Sequence, residues 1–245
     1  MAGVQEAEAK AKLLRHIRRK KILKRTSVLI NEFSIADARA DVVVAANGRL
    51  HCYEIKSKAD SLRRLKAQTE VFCKFFDTVT LVLDEKHVKA AFTLVPRRVG
   101  IWVLQDDKVY VLRESKLVSP TKLTLCASLS LVELRRVASS NDLSGDGDRA
   151  ALAQALTRLP YRTLKKAVIE YVRKKFSPHC KAFIAETAES EIQTEHLQLL
   201  SPYRSRRERH AKTKSEIETS WSAWAAQVQS TQSSSTDLIA PSGSP

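Results

Sequence analysis

Two apolar runs meet at Asn47-Gly48, and this dipeptide constrains the fold more than any other pair in the chain. Ala38 to Ala46 precedes it and Arg49 to Ser57 follows. A two-residue type I′ loop needs positive φ at both central positions, which Asn and Gly tolerate, so the spacing predicts an antiparallel hairpin. The register follows: Ala46 faces Arg49, Val43 faces Cys52, Asp41 faces Glu54 and Arg39 faces Lys56. Alternation puts Arg39, Asp41, Val43, Cys52, Glu54 and Lys56 on one face. The other face, with Ala40, Val42, Val44, Tyr53 and Ile55, is mostly apolar and suits a core.

Around this hairpin the pattern predicts a basic helix over residues 5–24 and a strand from Ser27 to Phe33 with Glu32 near its end. A helix over 59–77 carries Leu62, Leu65, Phe72, Phe75 and Phe76 on one stripe. Thr80 to Leu83 reads as a strand, Glu85 to Leu94 as a helix, and Val99 to Leu104 and Val109 to Arg113 as a strand pair. Helices interleaved with strands predict an α/β (α+β) fold with a mixed central sheet. After residue 118 the chain turns helical, with candidates at Ser130 to Val137, Asp148 to Leu159 and Tyr161 to Phe176. The expected organisation is a sheet domain over 1–117, a basic helical module over 118–200 and a tail over 201–245. Ser, Thr and Gln dominate that tail, which predicts disorder apart from a short helix near Trp221 and Trp224.

The formal charge is +15 and the sequence pI about 9.8. Such a balance favours a polyanionic partner through counterion release. Residues 1–25 hold nine Lys/Arg against two Glu, and residues 158–181 hold eight against one. Arg18 and Arg19 in the first cluster, and Lys165, Lys166, Arg173 and Lys174 in the second, are candidates for backbone phosphate contact. No run approaches the ~18–20 apolar residues of a spanning helix, and no apolar secretion segment opens the chain. Four scattered cysteines fit neither a disulfide framework nor a zinc site, so a reducing, cytoplasmic setting is expected.

Two carboxylates facing each other across a sheet destabilise it. Either one holds a proton or a cation lies between them. Arg39 and Lys56 are one source of that charge; a divalent ion is the other, and it gives the arrangement a use. Oxygen ligands without His or Cys point to Mg²⁺, with Mn²⁺ as substitute. An ion held by Asp41 and Glu54 would polarise a scissile phosphate and acidify a water. Lys56 would orient that water or stabilise developing charge, while Ile55 anchors the strand in the core. Glu32 is a candidate further ligand or base.

Asp41, a short hairpin, then Glu54-Ile55-Lys56 resembles the PD-(D/E)xK signature of the restriction-endonuclease-like nucleases. In that superfamily the Asp and Glu bind metal and the Lys serves catalysis, roles the resemblance gives to Asp41, Glu54 and Lys56. A longer match covers roughly residues 28 to 104. It includes Arg39-Ala40-Asp41, Tyr53-Glu54-Ile55-Lys56-Ser57, Leu62, Arg64-Leu65, Gln68, Phe76-Asp77 and Thr80-Leu81-Val82. It is similar to a small, largely uncharacterised bacterial and phage branch. The chain departs from that branch at Pro96-Arg97-Arg98-Val99-Gly100-Ile101, where aromatic residues would precede Gly-Ile. Related branches carry Gln-x-x-x-Tyr near the metal; here Gln68 is followed by Phe72, so Gln68 is either a site residue or a satisfied core glutamine. Lys58, Arg63 and Arg64, with Arg39, are placed to meet a phosphate backbone.

The leading expectation is therefore a Mg²⁺-dependent DNA endonuclease. RNA remains open as substrate, and dimers that cut both strands are common in nucleases of this resemblance. A non-catalytic nucleic-acid-binding scaffold on the same fold is the alternative. It would bind with steep salt dependence and ignore chelator.

Overall fold

The computed structural model describes residues 2–23, 26–106 and 108–201. The expected tail, with Trp221 and Trp224, lies outside these. The chain opens with α1 (Ala2–Arg19) and a meander of β1 (Val28–Ile35), β2 (Ala38–Ala46) and β3 (Arg49–Lys56). Helix α2 (Leu65–Phe75) leads to β4 (Thr78–Asp84); a 3₁₀ turn, Glu85–His87, and α3 (Val88–Leu94) lead to β5 (Gly100–Gln105) and β6 (Lys108–Arg113). The six strands lie in one sheet in sequence order. The two outer joints on one side and the last joint on the other are antiparallel, while β3, β4 and β5 run parallel. Parallel neighbours require crossovers, which α2 and α3 supply. This is the mixed sheet flanked by helices that the alternating pattern predicts.

The hairpin forms as its dipeptide dictates. Asn47 and Gly48 have φ of 50° and 72°, and Val43 pairs with Cys52 and Ala46 with Arg49. Helix α2 begins six residues later than the periodicity suggests. The reason is local: both the amide and the hydroxyl of Ser57 bond Asp60 Oδ2 at 2.6 Å. That turn absorbs the residues after β3 before a helix can start.

Helices α1 and α2 cover opposite faces of the sheet. His16 on α1 packs edge-on to Trp102, whose ring lies 5.4 Å from Tyr53, whereas Gln68 on α2 bonds Glu54. Tyr53 and Glu54 are neighbours on β3 and so point to opposite sides. Leu13, Leu14 and Ile17 of α1 and Leu65 and Phe72 of α2 are fully buried at these contacts.

Among the described residues four more α-helices follow, α4 (Lys122–Ala127), α5 (Leu131–Ser139), α6 (Arg149–Leu156) and α7 (Tyr161–Glu186), and then a 3₁₀ helix, Thr194–Leu200. Thr121, Ser130 and Asp148 cap the first three, each side chain accepting the amide three residues on. Helix α4 escaped the sequence reading, and α7 runs ten residues beyond Phe176. Phe176 packs 5.7 Å from Phe33, and the Leu29 amide donates to Cys180 Sγ at 3.2 Å, so α7 lies along β1. Near the hairpin tip, Lys165 Nζ reaches Asp77 Oδ2 at 2.5 Å, and the same oxygen accepts the Leu50 amide at 2.7 Å. The helical segment thus shares its core with the sheet, and the chain to Ser201 is one compact unit. Among the described residues no helix is long and apolar enough to cross a membrane.

Candidate active site

The sheet opens at Asp41 on both sides. On β1, Asn31 pairs with Val42 and Phe33 with Ala40, skipping the Glu32 position opposite Asp41. On β3, the ladder stops at Val42 and Tyr53, one step short of Asp41 and Glu54. The register predicted from the hairpin therefore holds up to the carboxylates and gives way there. Asp41 Oδ2 instead accepts the Ile55 amide at 2.8 Å, so the side chain takes over part of the strand pairing. Glu32 sits at φ 59°, a left-handed backbone that non-glycine residues adopt rarely and at a cost of about 1–3 kcal/mol. Such strain persists only where surrounding contacts hold it.

Glu54 is 2% exposed. Its Oε1 receives Lys56 Nζ at 2.7 Å and Gln68 Nε2 at 3.0 Å, while its Oε2 is buried with no hydrogen-bond partner. Burial, reinforced by the neighbouring Asp41 charge, raises the Glu54 pKa to about 7 against the opposing pull of Lys56. Asp41 is also raised by burial, opposed by the Lys10 ammonium and the Ile55 amide. The repulsion expected of facing carboxylates is present and only partly neutralised. Asp41, Glu54, Lys56 and Gln68 line a cleft of about 660 Å³ with Arg39 and Arg64 at its sides.

The donor set suits a hard cation. Asp41 Oδ1 and the unpartnered Glu54 Oε2 are the oxygens that could serve as ligands, and neither His nor Cys lines the cleft. Among the described residues no group of three or more His, Cys, Asp or Glu is placed to hold a metal. An ion bound between Asp41 and Glu54 would thus draw its remaining ligands from water or phosphate oxygens, as Mg²⁺ commonly does.

Glu32 is not brought into that pair. Its carboxylate turns to Lys10 at 3.7 Å and Arg39 at 3.5 Å. Gln68 lines the cleft and donates to Glu54, while its own Oε1 is buried without a hydrogen-bond partner. Lys58, Arg63 and Arg64 are exposed beside the cleft, and Arg39 keeps most of its side chain in solvent. The two basic clusters divide. Arg18 spends its guanidinium on the carbonyls of Thr187 and Ser190, and Lys165 is tied to Asp77; Arg19 is exposed on α1. Lys166 and Arg173 line a groove of about 380 Å³ beside Gly48, joined by Arg162; Lys174 is exposed one residue on. That groove lies at the far end of β3 from Lys56, about 25 Å at ~3.3 Å per residue.

Sequence reasoning missed Glu6 and Lys10. Lys10 is 4% exposed, 2.7 Å from Glu6 and 3.8 Å from Asp41. The signal was available: Lys10 lies three, four and seven residues before Leu13, Leu14 and Ile17, on the buried stripe of α1.

Known proteins match the chain over nearly this whole compact unit. The family described as bacteriophage P4 protein cII matches residues 2–201. Protein cII of Enterobacteria phage P4 is 26% identical over 208 residues, which is 81% of this chain and 78% of that protein. A protein of unknown function from Silicibacter pomeroyi aligns in structure with a TM-score of 0.36 and 16% identity, over 68% of this chain and 88% of that one. With some four-fifths of its length matched, this chain belongs to the bacteriophage P4 protein cII family.

Proposed function

We propose that this protein is a metal-dependent nuclease that hydrolyses phosphodiester bonds, with DNA as its substrate. One observation carries the reading: a buried glutamate with one oxygen held by Lys56 and Gln68 and the other without a partner, beside a second carboxylate in an open cleft. A buried, unpaired carboxylate oxygen next to another acid calls for either a proton or a cation, and the open cleft beside it gives a cation access.

Mg²⁺ or Mn²⁺ held by Asp41 and Glu54 would supply a polarised phosphate and a water of lowered pKa. The chain's own groups do the rest. The Ile55 amide and Gln68 fix the two carboxylates. Lys56, lining the same cleft, holds the attacking water or the charge developing on a phosphate oxygen. Arg39, Lys58, Arg63 and Arg64 grip the backbone near the scissile bond. Lys166, Arg173 and Lys174 grip it further along, through contacts that weaken with salt. All four cysteines are buried free thiols, which suits a reducing compartment such as the cytoplasm.

A second reading is a nucleic-acid-binding scaffold without catalysis. The observation in its favour is that Lys10 and Lys56 already place positive charge against the acids. Plasmid cleavage in Mg²⁺, Mn²⁺ and EDTA, with Lys56→Ala purified identically, separates the two. The nuclease reading expects cutting that needs metal and disappears in the variant. Intact plasmid and intact RNA in every lane, with a clear gel shift, would favour the scaffold.

A further inference from the structure

Lys10 is the least exposed cation around the cleft, and it does not belong to the predicted motif. Its ammonium faces three carboxylates from three elements: Glu6 of α1 at 2.7 Å, Glu32 of β1 at 3.7 Å and Asp41 of β2 at 3.8 Å. An ammonium buried to this degree is tolerated only with close acidic partners. Here those partners are the residues around the break in the sheet. Glu32 has a strained, left-handed backbone, and its side chain pairs with Lys10 and Arg39. Asp41 offers one oxygen to the Ile55 amide and turns the other toward Lys10.

Two-ion hydrolytic sites set their cations ~3.5–4 Å apart on shared carboxylates. In this centre the Asp41 oxygen that would be shared faces an ammonium, and the two further acids that would complete a second site, Glu6 and Glu32, face the same ammonium. Resting on the metal-dependent reading above, we infer that Lys10 is a fixed cation of the centre that takes the place of a second metal ion, so that the centre binds one divalent ion and not two. Lys10 is in this sense a positioning residue: it holds Asp41 and Glu32 and touches no reacting atom. Removing its charge leaves Glu6, Glu32 and Asp41 with only Arg39 beside Glu32 and Lys56, itself bonded to Glu54, beside Asp41, enough negative charge to recruit a second dication.

The test counts ions and needs no nucleic acid. Full-length protein is titrated with Mn²⁺ at pH 8, free Mn²⁺ is read by electron paramagnetic resonance, and ions are assigned to the centre by their loss in Asp41→Asn. Wild type is expected to hold one such ion, Lys10→Arg one, and Lys10→Met two. Should Lys10→Met require metal to fold, refolding it in Mn²⁺ and counting the ions retained after desalting gives the same reading. Two ions in wild type, or one in Lys10→Met with unchanged affinity, overturns the inference and leaves the nuclease proposal standing. No ion in wild type overturns both.

Discussion

Gln68 and Lys56 donate to the same oxygen of Glu54, at 3.0 and 2.7 Å, one from a helix and one from the strand that carries the glutamate. This convergence fixes the Glu54 carboxylate while leaving its second oxygen bare. Replacing Gln68 with Leu keeps the volume on α2 and removes one charge-assisted bond, a loss of about 1.5–3 kcal/mol. Cleavage kinetics should show kcat lower by about 10- to 100-fold with KM little changed. An unchanged kcat would place Gln68 in the core and not in the site.

Protonation of Glu54 should govern metal affinity. Its pKa is raised to about 7, so below that pH an ion must displace a proton. Mn²⁺ affinity is expected to rise about tenfold per pH unit up to roughly 7 and to level above it. Calorimetric titrations at pH 6, 7 and 8 read this directly, and a flat profile would detach Glu54 from the ion.

The same shift has a consequence for stability without metal. A raised folded-state pKa contributes stability that is complete below the unfolded value near 4.5 and disappears as pH climbs through about 7. In EDTA, urea midpoints should therefore fall between pH 5 and 8, by an amount on the order of 3 kcal/mol if Glu54 acts alone. Glu54→Gln should flatten that slope while abolishing cleavage. A slope that persists in Glu54→Gln would assign it to other groups.

Asp77 and Lys165 tie α7 to the hairpin-tip end of the sheet. Asp77 Oδ2 accepts both Lys165 Nζ and the Leu50 amide, so Asp77→Ala strands a lysine and a backbone donor together. Breaking a buried pair from one side costs about 3–5 kcal/mol. Lys165→Met also breaks the pair and leaves Asp77 without its counter-charge, but it keeps the Leu50 amide served and should therefore cost less than Asp77→Ala. Urea denaturation of both variants should return that order; the reverse would mean the amide bond contributes little.

Cys52 and Cys126 are fully buried, and burial raises both thiols above their ordinary range. Cys73 and Cys180 are buried and raised likewise. In native protein all four should resist a disulfide reagent at pH 8, and all should react once urea unfolds the chain. Rapid labelling of any of them in the native state would contradict this packing.

The hairpin was legible because Asn47-Gly48 sets its own backbone and the alternation around it sets the rest; Asp41, Glu54 and Lys56 follow by counting. Gln68 was legible as a residue of the α2 stripe, but its partner was not, since helix rotation depends on tertiary packing. The turn closed by Ser57 and Asp60 hid the start of α2 because side-chain competition for amides interrupts the apolar period. Glu32 could not be placed from the sequence because its left-handed φ breaks the alternation of the strand that carries it. Lys10 was hidden by habit: a lysine in a basic helix reads as solvated, and only its phase relative to Leu13, Leu14 and Ile17 says otherwise.

The break in the sheet at Asp41 also bears on how the protein assembles. Glu32, Asp41, Glu54, Lys56 and Gln68 all fall within 37 consecutive residues, so the acidic centre forms from short loops that close at small entropic cost. Lys10 must arrive over a longer excursion, carried by a helix made earlier in synthesis. Loop length alone would then let Glu54 and Lys56 meet before Lys10 docks on Asp41, and a folding rate sensitive to ionic strength and divalent ions would be the sign of that order.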